Sequence, residues 1–325
     1  MKLEDIGFYT LSDGRIKQVH SFSPMWRCEL IITTRCNFKC PYCRGFKVDD
    51  EGDISLDDAK KVLDIWAING LKNVRFSGGE PTLHKNLPDM VEYAKHLGVE
   101  RIAISTNGSN SLSYYKKLHG LGVNDFSISL DGCCSADIDY MTGQSKQSYG
   151  KIIINNIREL SKLTYVTVGV VLSKENYNQI NHIINFASNL GVSDIRIISA
   201  AQDNMLLEEA KRISPEVLNK HPILHYRINN IINGRNVRGL KSTDCTKCHL
   251  MKDDCVVANN KHFPCVIYMR EGGQPIGDVH EDMRQDRLKW IEQHDIFQDD
   301  ICKQNCLDVC IDYNNQFEMM NNIKD

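Results

Sequence analysis

The chain has 325 residues, of which 42% are hydrophobic and 25% charged. This ordinary globular composition excludes disorder, collagen and coiled coil, and the length suits one large domain with a smaller one. A formal net charge of -3 argues against general affinity for nucleic-acid backbones, while leaving room for a single modified nucleoside in a pocket.

The first 26 residues read as an N-terminal extension, and their opening, MKLEDIGFYT, lacks a signal peptide's apolar stretch. Strand-like runs follow at 27–34, 73–77, 101–106, 125–130, 165–172 and 194–199. Helix candidates between them start near Leu56, Leu87, Leu112, Tyr149 and Tyr177, the first with Ser55 and Asp58 spaced as an N-cap. Alternating strands and helices imply a parallel sheet, because each return to a parallel neighbour needs a crossover. An open twisted sheet and a partial barrel both fit this order, and in either the loops after the C-terminal strand ends form the site. Residues 201–243 read as a helical connector, with helices over 202–213 and 216–234 and an end at Asn233-Gly234. The stretch 244–325 is rich in cysteine. The longest apolar runs fall far short of the roughly 20 residues that span a membrane, so a soluble, cytoplasmic protein is expected.

Thirteen cysteines, an odd number in two clusters, read as metal or cluster ligands better than as a disulfide framework. Cys28 in a strand reads as a small buried hydrophobe, and Cys133 and Cys134 read as structural. Cys36, Cys40 and Cys43 crowd into CNFKCPYC just past the first strand. Three thiolates in one loop suit a 4Fe-4S cluster with one iron open to an exchangeable ligand, such as an amino acid's amino and carboxylate groups. A zinc site completed from elsewhere is the alternative, but zinc usually pairs its thiols as C-x2-C.

CNFKCPYC at the end of the first strand, with FSGGEPT at the end of the second, closely resembles the radical S-adenosylmethionine (SAM) enzymes over roughly residues 27–200. The resemblance implies that Cys36, Cys40 and Cys43 bind three irons of a 4Fe-4S cluster and that SAM chelates the fourth. It also implies that Gly78, Gly79 and Glu80 hold the SAM amino group. Ser105 and Asn107 then lie near the SAM ribose or carboxylate, Ser129 and Asp131 near the ribose, and Tyr42 and Leu172 against the adenine. TNG and LDG, which hold Asn107 and Asp131, are also good turn sequences in their own right. The expected fold is α/β, a partial (β/α)6 TIM-like barrel with a small cysteine-rich C-terminal domain.

That C-terminal stretch carries Cys245, Cys248, Cys255 and Cys265, then Cys302, Cys306 and Cys310, which share one face if the tail is a continuous helix. C-x2-C with later cysteines is a zinc-ribbon signal. FPC, PIGDV and a tryptophan-bearing segment resemble instead the auxiliary-cluster extension called SPASM or Twitch, which implies at least one auxiliary iron-sulfur cluster on these seven thiols. Two departures limit that likeness: Asn260 stands at a glycine position, and the last cysteine block is shortened to C-x3-C-x3-C. Among the histidines His221, His225, His249 and His262, the one beside Cys248 is the first to test as a ligand. Arg35, Lys39, Arg44 and Lys47 form a basic collar that reads either as a solvated loop or as a surface for an anion or electron donor.

The resemblance implies reductive SAM cleavage to a 5'-deoxyadenosyl radical and hydrogen abstraction from a substrate, with a flavodoxin- or ferredoxin-type electron donor. The short N-terminal extension favours a small molecule or modified nucleoside, and SPMWRCELIITTRCNFKCPYCRGF also resembles the queuosine-salvage lyases that release queuine. The alternatives are a SPASM-type peptide maturase and a non-enzymatic iron-sulfur or zinc protein.

Overall fold

The computed structural model describes residues 13–45, 52–143, 148–200 and 204–322. Its strands are β1 (Arg27–Thr33), β2 (Asn73–Gly78), β3 (Arg101–Thr106), β4 (Asp125–Ser129), β5 (Tyr165–Leu172) and β6 (Asp194–Ser199), then β7 (Asp254–Ala258), β8 (Lys261–Phe263) and β9 (Gly277–Asp278). They form one sheet in the order β6-β5-β4-β3-β2-β1-β7-β8-β9. Each pair from β1 to β6 is parallel, and each step moves one place in the same direction. With right-handed crossovers, such an unreversed order puts every helix on one face and coils the sheet. This selects the partial barrel over the open, doubly wound sheet.

The first crossover helix, Leu56–Ile68, starts as expected: Ser55 Oγ accepts from Asp58 N at 3.0 Å and donates to the Asp58 carboxylate at 2.6 Å. Strand alternation sorts the two faces of the sheet. Leu30, Val74, Ile104, Phe126, Val168 and Ile197 face the helices and are buried with Trp66, Tyr115 and Ile183 in the main core. The opposite parity gives Glu29, Arg75, Ser77, Ser105, Ser127, Ser129, Gly169 and Arg196, a polar set on the inner face.

The cysteine-rich stretch extends this sheet. Strand β7 lies parallel to β1, with Cys255 opposite Cys28, and β8 and β9 continue antiparallel. In the hairpin turn the left-handed residue is Asn259 (φ 52°), one position before the Asn260 expected to matter. The connector differs as well. Residues Asn204–Arg212 are 3-10 helix, and the second expected helix is two, Pro215–Lys220 and Pro222–Ile232, because Pro222 forces His221 out of helical conformation (φ -129°, ψ 85°). The tail is likewise broken into Asp300–Asn305 and Asp308–Asn322, with Cys306 between them. Among the described residues no helix is long and apolar enough to cross a membrane.

Candidate functional site

The loop after β1 is held from three sides. The β2 turn is pressed against it: Gly79 N donates to Thr33 O and Glu80 N to Arg35 O, both at 2.8 Å. A Cβ on Gly78 or Gly79 would stand 2.2 Å from Thr33 O or Arg35 O, so both glycines are required by this backbone contact, and Gly78 also has φ 146°. From the loop after β3, Asn107 Nδ2 donates to Asn37 Oδ1 at 2.8 Å, and Asn37 Nδ2 in turn donates to Ser109 Oγ at 2.9 Å. Lys39 N donates to Thr142 O at 2.9 Å, just past the helix Ser135–Met141.

Cys36, Cys40 and Cys43 line one cavity of about 260 Å³ at the C-terminal strand ends. Tyr42, Gly78, Gly79, Ser105, Asn107, Ser129 and Asp131 line it too, so most residues singled out in the sequence converge here. Burial pushes the Cys40 thiol up to about 12 and raises Cys36, which leaves these groups protonated until a cation compensates. Three thiols on a loop already fixed by backbone contacts fit a cluster that leaves one iron open. Asp131 accepts from Val171 N at 2.7 Å and from the Tyr42 hydroxyl, and burial pushes its carboxyl up to about 6.

Two expected contacts lie elsewhere. Leu172 is fully buried on the helix-facing side of β5, since it shares parity with Val166, Val168 and Val170. Glu80 is fully buried: Oε1 accepts from Thr82 N (3.0 Å), Thr82 Oγ1 (2.6 Å) and Thr106 Oγ1 (2.7 Å), and Oε2 accepts from Asn107 N (2.7 Å). Its carboxyl therefore joins the ends of β2 and β3 and is absent from the cavity lining. Of the basic collar, Arg35 pairs with Asp53 at 2.5 Å and Arg44 pairs with Glu271. Lys39 is exposed, and Lys47 lies outside the described residues.

The cavity also contains two arginines that the sequence reading passed over. Arg196 and Arg270 line it together with Ser77, Ser127 and Gly169. Arg196 Nη2 donates to Ser127 Oγ at 3.0 Å, while burial and the neighbouring Arg75 hold its guanidinium down at about 10. Arg270 donates to Gly78 O at 3.3 Å. Strand parity was the available signal, because Arg196 shares its face with Ser127 and Ser129.

The C-terminal thiols separate. Cys248, Cys265, Cys302, Cys306 and Cys310 line a small apolar cavity of about 30 Å³ with Leu250, Tyr268, Trp290 and Ile296. Burial pushes the Cys265 thiol up to about 12 and raises Cys248 and Cys302 further, with repulsion from the other thiols adding to it. Cys306 donates to or accepts from Cys310, and that contact is the largest cause of its raised thiol. Five soft donors in a dry pocket fit one iron-sulfur cluster, and one thiol exceeds the four it needs. Cys255 is elsewhere, fully buried in the main core against Cys28. Cys245 is also outside the cavity, grouped with His249 and Glu318. Among the other histidines, His221 Nε2 lies 2.9 Å from Ser188 Oγ, and His262 is fully buried and held down at about 3 by burial and Arg287.

Residues 30–187 match the family model of the Radical SAM superfamily. A probable GTP 3',8-cyclase of Sulfolobus acidocaldarius is 29% identical over 173 residues, which cover 52% of this chain and 54% of that relative. The chain thus spans about half the length of that relative. Sequence relatives named as GTP 3',8-cyclases replace the expected likeness to queuosine-salvage lyases. Among solved structures, Streptococcus suis SuiB bound to precursor peptide SuiA superposes with a TM-score of 0.58 at 14% identity, covering 93% of this chain and 79% of that one. Native anSMEcpe with bound AdoMet gives 0.55 at 16% identity, covering 91% of this chain and 100% of that one. These likenesses agree with the partial barrel. The likeness to the radical SAM superfamily, whose members work with a 4Fe-4S cluster and S-adenosylmethionine, thus runs through residues 30–187 of this chain.

Proposed function

We propose that the protein is a radical SAM enzyme acting on a small anionic molecule, with nucleoside triphosphates as the favoured class. In this reading Cys36, Cys40 and Cys43 hold the cluster. The Gly78-Gly79 turn, Ser105, Asn107, Ser129 and Asp131 surround SAM, and Tyr42, tied to Asp131, flanks it. When bound there, cluster and SAM supply a 5'-deoxyadenosyl radical. Residues 27–200 form the radical-generating part, 201–243 the connector and 244–325 the auxiliary-cluster part, and a flavodoxin- or ferredoxin-type protein donates the electron.

The observation that carries the substrate class is the placement of Arg196 and Arg270 in the same cavity as the three thiols. Guanidinium groups held in a partly desolvated cavity gain most from an anionic partner such as a phosphate. The serines beside them add hydroxyl donors, and the relatives named as GTP 3',8-cyclases are consistent with a nucleotide. The protein's own part is to position the substrate and exclude water from the radical.

The test is anaerobic reconstitution with iron, sulfide, SAM and a strong reductant, followed by measurement of 5'-deoxyadenosine with and without each nucleoside triphosphate. The expected result is formation that one triphosphate stimulates above the uncoupled background. No 5'-deoxyadenosine under any condition would overturn the radical reading. Formation that responds to neutral compounds and never to anionic ones would overturn the substrate class alone.

A further inference from the structure

Cys245, His249 and Glu318 form a third group, separate from both thiol cavities. One ligand atom from each lies within 4.8 Å of the other two. They come from the turn after the connector, the first residue of the 3-10 helix His249–Lys252 and the late part of the helix Asp308–Asn322. A thiol, an imidazole and a carboxylate are the donors that zinc accepts together, whereas an iron-sulfur cluster takes its ligands chiefly from thiolates.

The surroundings fix each donor. Asn315 Oδ1 accepts from Cys245 N at 2.7 Å, and Asn315 Nδ2 donates to Asp244 Oδ1 at 3.0 Å, so the turn is tied to the final helix one turn before Glu318. The Cys245 thiol is buried and lies 3.1 Å from Lys247 O. The His249 ring stacks on Phe317 with centroids 4.4 Å apart. Its Nε2 is 3.4 Å from Glu318 Oε1, a long contact, and its Nδ1 is buried with no hydrogen-bond partner. One buried ring nitrogen of this fixed imidazole is thus left without a protein partner. Glu318 is the exposed member, with 39% of its side chain open to solvent, which leaves a direction from which water can complete a coordination sphere.

We propose that Cys245, His249 and Glu318 bind a single zinc ion, with solvent as the fourth ligand. Binding displaces the Cys245 proton, and the resulting thiolate and the Glu318 carboxylate balance the charge of the divalent ion. The ion would clamp the turn that leads into Cys248 onto the final helix, which also carries Cys310.

The experiment uses the full chain with its clusters reconstituted anaerobically, one added equivalent of zinc, removal of loose metal and elemental analysis of zinc and iron together. Wild type should retain about one zinc per chain, and His249→Ala and Glu318→Gln should each lose most of it while iron stays constant. Cobalt in place of zinc should give a visible d-d band with a sulfur-to-metal charge-transfer band that Cys245→Ser removes. Glu318→Gln alters an exposed side chain, so it remains informative if the cysteine variant fails to fold. Failure of wild type to retain zinc would overturn the proposal. So would loss of iron in His249→Ala with zinc unchanged, which would assign the group to the cluster. The readout is metal content, independent of whether SAM is cleaved.

Discussion

The two cavities lined by several cysteines differ in size and in whether charged side chains line them. At the C-terminal ends of the strands, Cys36 and Cys43 are exposed and share the larger cavity with serines, an aspartate and two arginines set among apolar side chains. In the C-terminal part, five thiols face a small cavity walled by leucine, isoleucine, tyrosine and tryptophan, with no charged side chain in the lining. The larger site has fewer thiols than a cubane needs and room beside them, which suits exchangeable chemistry. The small C-terminal site has a thiol to spare and no room for a substrate, which suits a cluster that only accepts and passes electrons or braces the fold.

That contrast is broken most directly by removing one thiol from each site. Cys40→Ala should lower iron by about four atoms per chain, whereas Cys265→Ala, which still leaves four thiols in its cavity, should leave iron unchanged. Only the first should abolish 5'-deoxyadenosine formation, measured anaerobically with SAM and reductant. Equal loss in both variants would mean that the C-terminal site shares the radical chemistry. The next effect sharpens the polar side of the contrast. Arg196→Ala should raise KM for the anionic substrate roughly 10- to 100-fold, the equivalent of losing a charge-assisted hydrogen bond. SAM cleavage without substrate should be unchanged, and steady-state kinetics beside an uncoupled assay will show whether it is. Smallest is the effect of Cys255→Ala, which should leave iron content unaltered and cost only about 1 kcal/mol of stability as a modest core truncation. Iron loss in that variant would return Cys255 to the ligand set.

Much of this architecture is legible in the sequence because the relevant signals are local. Strands β3, β5 and β6 have the expected bounds, since apolar runs flanked by turn residues are short-range patterns. The cluster loop and the Gly-Gly turn are legible for the same reason. Misreadings arose where the pattern was present and not followed through. Counting Leu172 in twos from Val166 places it on the helix side, and the same count pairs Cys255 with Val257 in the core. The break before Pro222 was also readable, from the constraint proline places on its predecessor.

Other features depend on partners distant in sequence, and no window of residues displays them. Glu80 is turned inward by Thr82, Thr106 and Asn107 together, two of which belong to the next strand and its loop. The tail's break at Cys306 coincides with the burial of Asp308, which pairs with Arg227 at 3.1 Å across the connector. Arg238 and Leu307 form an isolated bridge beside it. Tertiary contacts of this kind override the helical spacing of Cys302, Cys306 and Cys310.

The parallel pairing of β7 with β1 bears on how the chain is made. Arg27 and Asp254 face each other at the start of that pair, joined at 2.7 Å across 227 residues of sequence. During synthesis β1 can pair with β2 early, but its other edge has no mate until the hairpin strand has left the ribosome. For that interval the strand that leads into the cluster loop presents an open row of backbone donors and acceptors, the usual template for misassembly. The long-range closure makes late sheet completion the expected slow step in folding.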